Sequence, residues 1–113
     1  MKPLYLLIAL SCLGTGAWLP AVAADDDKQL ELGKKLFTQL AVPACALCHT
    51  LKDAKAEGAV GPVLDELQPN AMRVATALRN GVGQMPSYKT SLSEAQIQAI
   101  SSYVAKASGA AAK

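Results

Sequence analysis

The sequence predicts an all-α domain of three to four short helices joined by long loops. Apolar residues recur at helical spacing in three stretches, and no alternation of apolar and polar residues is long enough to indicate a strand. Glycine and proline residues separate these stretches. A chain of 113 residues, 51% of them hydrophobic, is long enough for one small domain.

Three helices can be placed from their apolar spacing and capping residues. The first covers residues 25–40 and begins with aspartates, which the helix dipole favours at an N-terminus. The second begins after Asn70, a preferred N-cap, and ends at Gly81. The third begins after Ser93, which forms a capping box with Gln96.

The remaining segments are predicted to be irregular. Residues 52–69 and 81–86 are expected to be loops, and the chain from about residue 107 is expected to be a short flexible tail. Long loops in so small a domain indicate a bound group around which they fold. The composition agrees, because 16 of the 41 apolar residues after residue 24 are alanine. Few large side chains remain to form a core, and the aromatic ones are Phe37, Tyr88 and Tyr103.

The first 24 residues have the pattern of an export signal. Lys2 precedes an apolar run over residues 4–13, and small residues ending at Ala24 form an A-x-A-type cleavage site. The run is short for a membrane span, and an uncleaved anchor is the alternative. We therefore expect a cleaved signal, a mature domain of residues 25–113 and a periplasmic location.

The charge balance excludes one broad class of function. The predicted mature chain has 10 basic and 9 acidic residues, a net charge of +1. A nucleic-acid-binding protein held by phosphate contacts needs a basic surface. No nucleic-acid partner is therefore expected.

Cys45, Cys48 and His49 form a C-x-x-C-H sequence, the attachment motif of c-type haem. On one helical turn these positions share a face, so two thiols can bond the haem vinyl groups while the imidazole reaches the iron. A zinc site needs four nitrogen or sulfur ligands, and the mature chain has no other cysteine or histidine. A thioredoxin-like redox pair should follow a strand, and a structural disulfide would leave His49 unexplained. One covalently bound haem c is the favoured interpretation.

The sixth ligand of such a haem iron is expected to be a methionine, because the mature chain has no second histidine. Met85 lies in a loop, where Gly81 and Gly83 allow the backbone to turn and to approach a haem, and Pro86 stiffens the exit. Met72 lies in a predicted helix, off its apolar face. We predict that Met85 is the ligand and that Met72 is a surface residue.

Taken together, the motifs resemble those of the class I c-type cytochromes over about residues 28–106. The shared features are Gly33-x-x-x-Phe37, Cys45-x-x-Cys48-His49, Gly61-Pro62-x-Leu64, Gly81-x-x-x-Met85-Pro86 and Ala99-x-x-x-Tyr103-Val104. The resemblance implies a small cytochrome c fold wrapped around one covalently bound haem.

The same resemblance implies roles for individual residues. Gly33 would let the first and last helices cross closely, near Tyr103. The backbone carbonyl of Pro62 would accept a hydrogen bond from the His49 ring, fixing its tautomer and raising its basicity. Leu64 would pack on the haem.

The implied function is one-electron transfer by a protein that is not an enzyme. Two permanent ligands, His49 and Met85, leave no open position on the iron for oxygen or peroxide. The expected partners are redox proteins, such as a periplasmic dehydrogenase and a terminal oxidase. Lys52, Lys55 and Lys89 flank the haem-binding segments; they are interpreted as ordinary solvated surface, and a ring around the exposed haem edge for docking is the alternative. The alternatives are a haem subunit of a periplasmic dehydrogenase complex, for example for sulfite oxidation, and a haem-based sensor with a labile methionine ligand.

Overall fold

The computed structural model describes residues 14–16 and 21–112, and this part of the chain is mostly helical. The elements are, in chain order, α1 (Ala21–Lys35), a π-helical turn (Leu36–Leu40), a 3-10 turn (Cys45–Leu47), β1 (Thr50–Leu51), a 3-10 turn (Lys52–Ala54), β2 (Ala56–Glu57), α2 (Leu64–Leu67), α3 (Ala71–Asn80), α4 (Glu94–Ala107) and a 3-10 turn (Ala110–Ala112). The predicted helical class is confirmed. Most of the predicted export signal lies outside the described residues.

α1 begins earlier than predicted, at Ala21 and not at Asp25. The residues before the aspartates include three alanines, which have the highest helix propensity. The aspartates therefore lie in the second turn of the helix, where they interact less with its dipole. At the other end, the predicted helical stretch continues to Leu40 as a π-helical turn that buries Leu36 and Phe37.

α1 and α4 cross at Gly33. A Cβ atom at Gly33 would lie 2.6 Å from Cβ of Tyr103 and 2.8 Å from the carbonyl carbon of Ala99, closer than carbon atoms approach in proteins. Beside the crossing, the rings of Phe37 and Tyr103 meet edge to face with centroids 6.0 Å apart. The structure therefore contains the close helix crossing that the resemblance implies, and glycine is what allows it.

α3 has the predicted boundaries and the predicted buried face. The Asn70 side chain accepts a hydrogen bond from the backbone N–H of Arg73 at 2.8 Å. Gly81, at φ +71°, follows the last helical residue. Ala75 and Leu78 are buried against α4 and the rest of the core.

α4 begins with the predicted capping box. The Ser93 hydroxyl oxygen accepts from the Gln96 backbone N–H at 3.2 Å, and Gln96 Oε1 accepts from the Ser93 N–H at 2.9 Å. Leu92 and Ile97, the residues expected to form a hydrophobic staple, are both buried. Arg79 at the end of α3 makes a bidentate ion pair with Glu94, which fixes the two helix ends together.

The segment predicted as an irregular loop, residues 52–69, is more regular than expected. β2 pairs antiparallel with β1, which precedes the segment, with Thr50 opposite Glu57. α2 then follows, and its Asp65 carboxylate accepts from the Lys52 backbone N–H at 3.0 Å. The two strands were not predicted because two-residue strands are too short to show an alternating pattern.

The end of the chain forms turns packed on the domain. α4 ends at Ala107, Ser108 is buried, and Ala110–Ala112 form a 3-10 turn. The sequence predicts a flexible tail from about residue 107. Flexibility concerns motion, so it stays a prediction.

Candidate haem site

The helices and loops surround an apolar cavity of about 390 Å³. This volume lies within the range of about 300–1,000 Å³ typical of small-molecule and cofactor sites. The cavity brings together all six residues that the sequence singles out: Cys45, Cys48, His49, Pro62, Leu64 and Met85. The segments that carry them are far apart in the sequence, so the fold itself assembles this site.

A single 3-10 turn presents the two cysteines and the histidine. The backbone N–H groups of Cys48 and His49 both donate to the carbonyl of Cys45, at 3.1 and 3.0 Å. Both cysteines are free thiols, Cys45 buried and Cys48 half-buried. The turn is tighter than the α-helical turn expected from the spacing, but all three side chains still line the cavity.

The state of the Cys45 thiol argues against a redox pair. Burial raises the pKa of Cys45 to about 11, so the thiol stays protonated at neutral pH. The reactive cysteine of a thioredoxin-like protein has a lowered pKa. In the described part of the chain, no three His, Cys, Asp or Glu side chains are grouped to hold a metal ion.

His49 is oriented from two sides. Its Nδ1 lies 2.8 Å from the backbone carbonyl oxygen of Pro62. Because a carbonyl can only accept, Nδ1 carries the proton, and in the neutral ring the lone pair is then on Nε2. On the other side, a Cβ atom at Gly61 would lie 2.8 Å from Nδ1, so only glycine leaves space for the ring. The imidazole is therefore held in the tautomer that can bind a metal through Nε2.

Met85 and Met72 occupy different environments. Met85 is partly buried, lines the cavity and packs against the core. Its backbone closes a tight turn, since the N–H of Val82 donates to the Met85 carbonyl at 3.0 Å and the Met85 N–H donates back at 2.9 Å. Met72 is 79% exposed and does not line this cavity. As predicted, Met72 is a surface residue.

One cavity residue, Tyr88, has no role in the sequence-based account. Its side chain is only 4% exposed, and its hydroxyl donates to the backbone carbonyl of Pro43 at 2.6 Å. Burial raises the pKa of Tyr88 to about 12, so the hydroxyl remains a donor at neutral pH. The scarcity of aromatic residues was the signal that could have drawn attention to it.

The three lysines that flank the haem-binding segments lie at the surface. Lys52, Lys55 and Lys89 are exposed, and none of them lines the cavity. Arg73, on α3, is the lining residue with a permanently charged side chain. The cavity wall is otherwise apolar or uncharged, which suits a large hydrophobic group.

The residues fit a haem. Two thiols, one imidazole of fixed tautomer and one thioether line a single apolar cavity, and a covalently bound haem requires thiols for its vinyl groups and an imidazole for its iron. A small helical fold built around such a cavity defines the chain as a c-type cytochrome with one haem.

Comparisons with known proteins agree. Residues 28–104 match the family described as cytochrome c oxidase, cbb3-type, subunit III, and the chain belongs to this family. The chain is also similar to the crystal structure of the c-type cytochrome SorU from Sinorhizobium meliloti, with a TM-score of 0.71 and 48% sequence identity over 74% of this chain and 94% of that one. No curated protein sequence matches it. The protein is an electron carrier with covalently bound haem c, and redox proteins are its partners.

No helix in the described segments is long and apolar enough to cross a membrane.

Proposed function

We propose that Cys45 and Cys48 bind the haem through two thioether bonds and that His49 and Met85 are the axial ligands of its iron. The observation that carries this proposal is the convergence of the four side chains on one apolar cavity, with His49 Nδ1 held by Pro62. When bound, the haem supplies a one-electron couple between ferric and ferrous iron.

The residues around the ligands have supporting roles. The Pro62 carbonyl fixes the His49 ring and makes Nε2 a stronger donor. Leu64 is buried at the cavity wall and excludes water from the haem face. The thioether of Met85 favours ferrous iron over ferric iron, which raises the reduction potential relative to a second imidazole.

The thioether bonds are tested by extraction of the haem. In acid–acetone, the wild-type protein should retain its haem and give the spectrum of haem c in alkaline pyridine. The variants Cys45→Ala and Cys48→Ala should each retain haem through one bond, with a shifted spectrum. The double variant should release it. Extractable haem in the wild type, or covalent haem in the double variant, would contradict the assignment.

The protein is further proposed to act in the periplasm, where c-type cytochromes of bacteria are typically found. The apolar run over residues 4–13 and the small residues ending at Ala24 support cleavage of residues 1–24, which leaves the domain of residues 25–113. Mass spectrometry of the protein purified from the periplasm should give an N-terminus at Asp25. An uncleaved chain in the membrane fraction would support the retained anchor.

We favour a freely diffusing carrier between a dehydrogenase and a terminal oxidase. The alternative is a haem subunit of a larger oxidoreductase, and the family description, which names an oxidase subunit, supports it. Size-exclusion chromatography of the native cell extract separates the two, with haem absorbance as the readout. The carrier should elute near the mass of a single chain, whereas a subunit should elute with its complex.

A further inference from the structure

Tyr88 connects two parts of the cavity wall that are distant in sequence. Its hydroxyl donates to the Pro43 carbonyl across a separation of 45 residues. Pro43 lies two residues before Cys45, and Tyr88 lies three residues after Met85. The bond therefore joins the segment that presents the C-x-x-C-H turn to the end of the loop that presents Met85.

The loop that carries Met85 is held mainly at its two ends. Over residues 82–86, the backbone hydrogen bonds found within the described chain are the two between Val82 and Met85. Gly83 has a positive φ of +54°, and a Cβ atom there would meet nothing within 4 Å. The loop thus packs loosely along its outer side, and its position depends on where it begins and ends.

Tyr88 is the anchor at the C-terminal end of this loop. Its backbone N–H donates to the Leu78 carbonyl of α3 at 2.6 Å, and its own carbonyl accepts from the N–H of Leu92 at 2.9 Å. The backbone is thereby attached to α3 and to the start of α4. The side chain is directed into the cavity wall, where its hydroxyl meets Pro43.

We propose that Tyr88 is a positioning residue that holds the Met85 loop closed on the haem cavity and so sets how readily Met85 leaves the iron. The inference rests on the proposed ligation by Met85. Loss of the hydroxyl hydrogen bond leaves the loop attached at Leu78 and Leu92 but breaks its link to Pro43 in the opposite wall. The open state, with Met85 off the iron, then becomes more populated.

Cyanide binding to the ferric holoprotein measures this population. Cyanide must replace Met85, so its apparent affinity is proportional to the fraction of molecules with the methionine dissociated. Tyr88→Phe keeps the buried ring and removes only the donor. We expect it to raise the cyanide affinity about 3- to 10-fold, the range expected for one lost intramolecular hydrogen bond.

The chain offers a matched control in Tyr103→Phe. Tyr103 is 5% exposed, and its hydroxyl also makes a 2.6 Å hydrogen bond, to Asp53, but it does not line the cavity. This variant should lower the melting temperature without changing the cyanide affinity by more than about twofold. Equal increases in affinity in the two variants would overturn the proposal, because they would indicate a general loss of stability.

A second pair of variants tests the role of Tyr88 separately from iron ligation by Met85. Met85→Ala should bind cyanide much more tightly than the wild type, and adding Tyr88→Phe to it should have no further effect. If Met85→Ala leaves the affinity unchanged, the proposed ligation by Met85 is wrong. If Met85→Ala raises the cyanide affinity, ligation by Met85 stands. The proposed role of Tyr88 is then wrong if Tyr88→Phe has no effect on the affinity. It is also wrong if Tyr88→Phe has the same effect in the wild type and in Met85→Ala.

Discussion

Backbone atoms alone orient the imidazole of His49. A backbone carbonyl accepts the Nδ1 proton, and a glycine gives the ring the space it needs. Neither interaction uses a side chain that could move away or titrate. The orientation of His49 is therefore set by the path of the backbone through Gly61 and Pro62.

At the same scale, the identity of the sixth ligand should control the reduction potential. Met85→His should keep the iron six-coordinate and lower the potential by on the order of 0.1 V, because a nitrogen donor stabilises ferric iron more than a thioether does. Spectroelectrochemical titration measures the shift. Met72→His is the control, since Met72 is 79% exposed and should leave the potential unchanged. An unchanged potential in Met85→His would show that this residue does not bind the iron.

The site residues differ in how far the sequence alone predicts them. The prediction that Cys45, Cys48 and His49 hold a haem rests on the fixed local spacing that this chemistry requires. The prediction that Met85 is a ligand rests on elimination among a few candidates. The hydrogen bond of Tyr88 could not be predicted, because its partner is a backbone carbonyl 45 residues away, and no spacing rule links a hydroxyl to such an acceptor.

Among the elements, the three longer helices were predictable, whereas α2 and the other short structures were not. α3 and α4 begin directly after Asn70 and Ser93, whose side chains cap nearby N–H groups, so the signal is local. The strands around residues 50–57 have two residues each and exist because the chain must return after the C-x-x-C-H turn. The 3-10 geometry of Cys45–Leu47 likewise depends on tertiary packing.

The crossing of α1 and α4 gives a prediction at the element scale. Gly33→Ala should lower the free energy of unfolding of the holoprotein by about 1–3 kcal/mol, because the new methyl group overlaps Tyr103 and the Ala99 backbone. Helix propensity alone predicts the opposite sign, a gain of up to about 1 kcal/mol. Denaturant unfolding, monitored by circular dichroism, distinguishes the expected loss of stability from this gain.

Gln98→Ala provides the comparison for Gly33→Ala. Gln98 is exposed on α4, so its replacement should change the free energy of unfolding by no more than about 0.5 kcal/mol. If Gly33→Ala were as stable as the wild type, the two helices would not be in the close contact described.

For the whole molecule, the haem replaces much of the core that the sequence lacks. The largest fully buried side chains of the described domain are few, and alanine makes up 16 of the 41 apolar residues after residue 24. The cavity walls come from the π-helical turn, α2, α3, α4 and the loops between them. Covalent attachment of a large apolar group would therefore connect elements from most of the described chain.

The whole-molecule prediction is that the chain without haem is largely unfolded. Without haem, the apolar wall of this 390 Å³ cavity would face water, which destabilises a small domain whose total stability is only about 5–15 kcal/mol. The variant Cys45→Ala with Cys48→Ala, produced without haem, should show little helical circular dichroism. A cooperatively melting, helical apoprotein would contradict the claim that haem supplies the core.

The claim that Met85 completes the iron coordination opposite His49 is tested most directly by the far-red absorption of the ferric protein. A methionine sulfur on ferric haem gives a weak charge-transfer band there, which nitrogen and oxygen ligands do not. We predict the band in the wild type and in Met72→Ala, and its loss in Met85→Ala. Loss of the band in Met72→Ala, or its persistence in Met85→Ala, would show that Met85 is not the iron ligand.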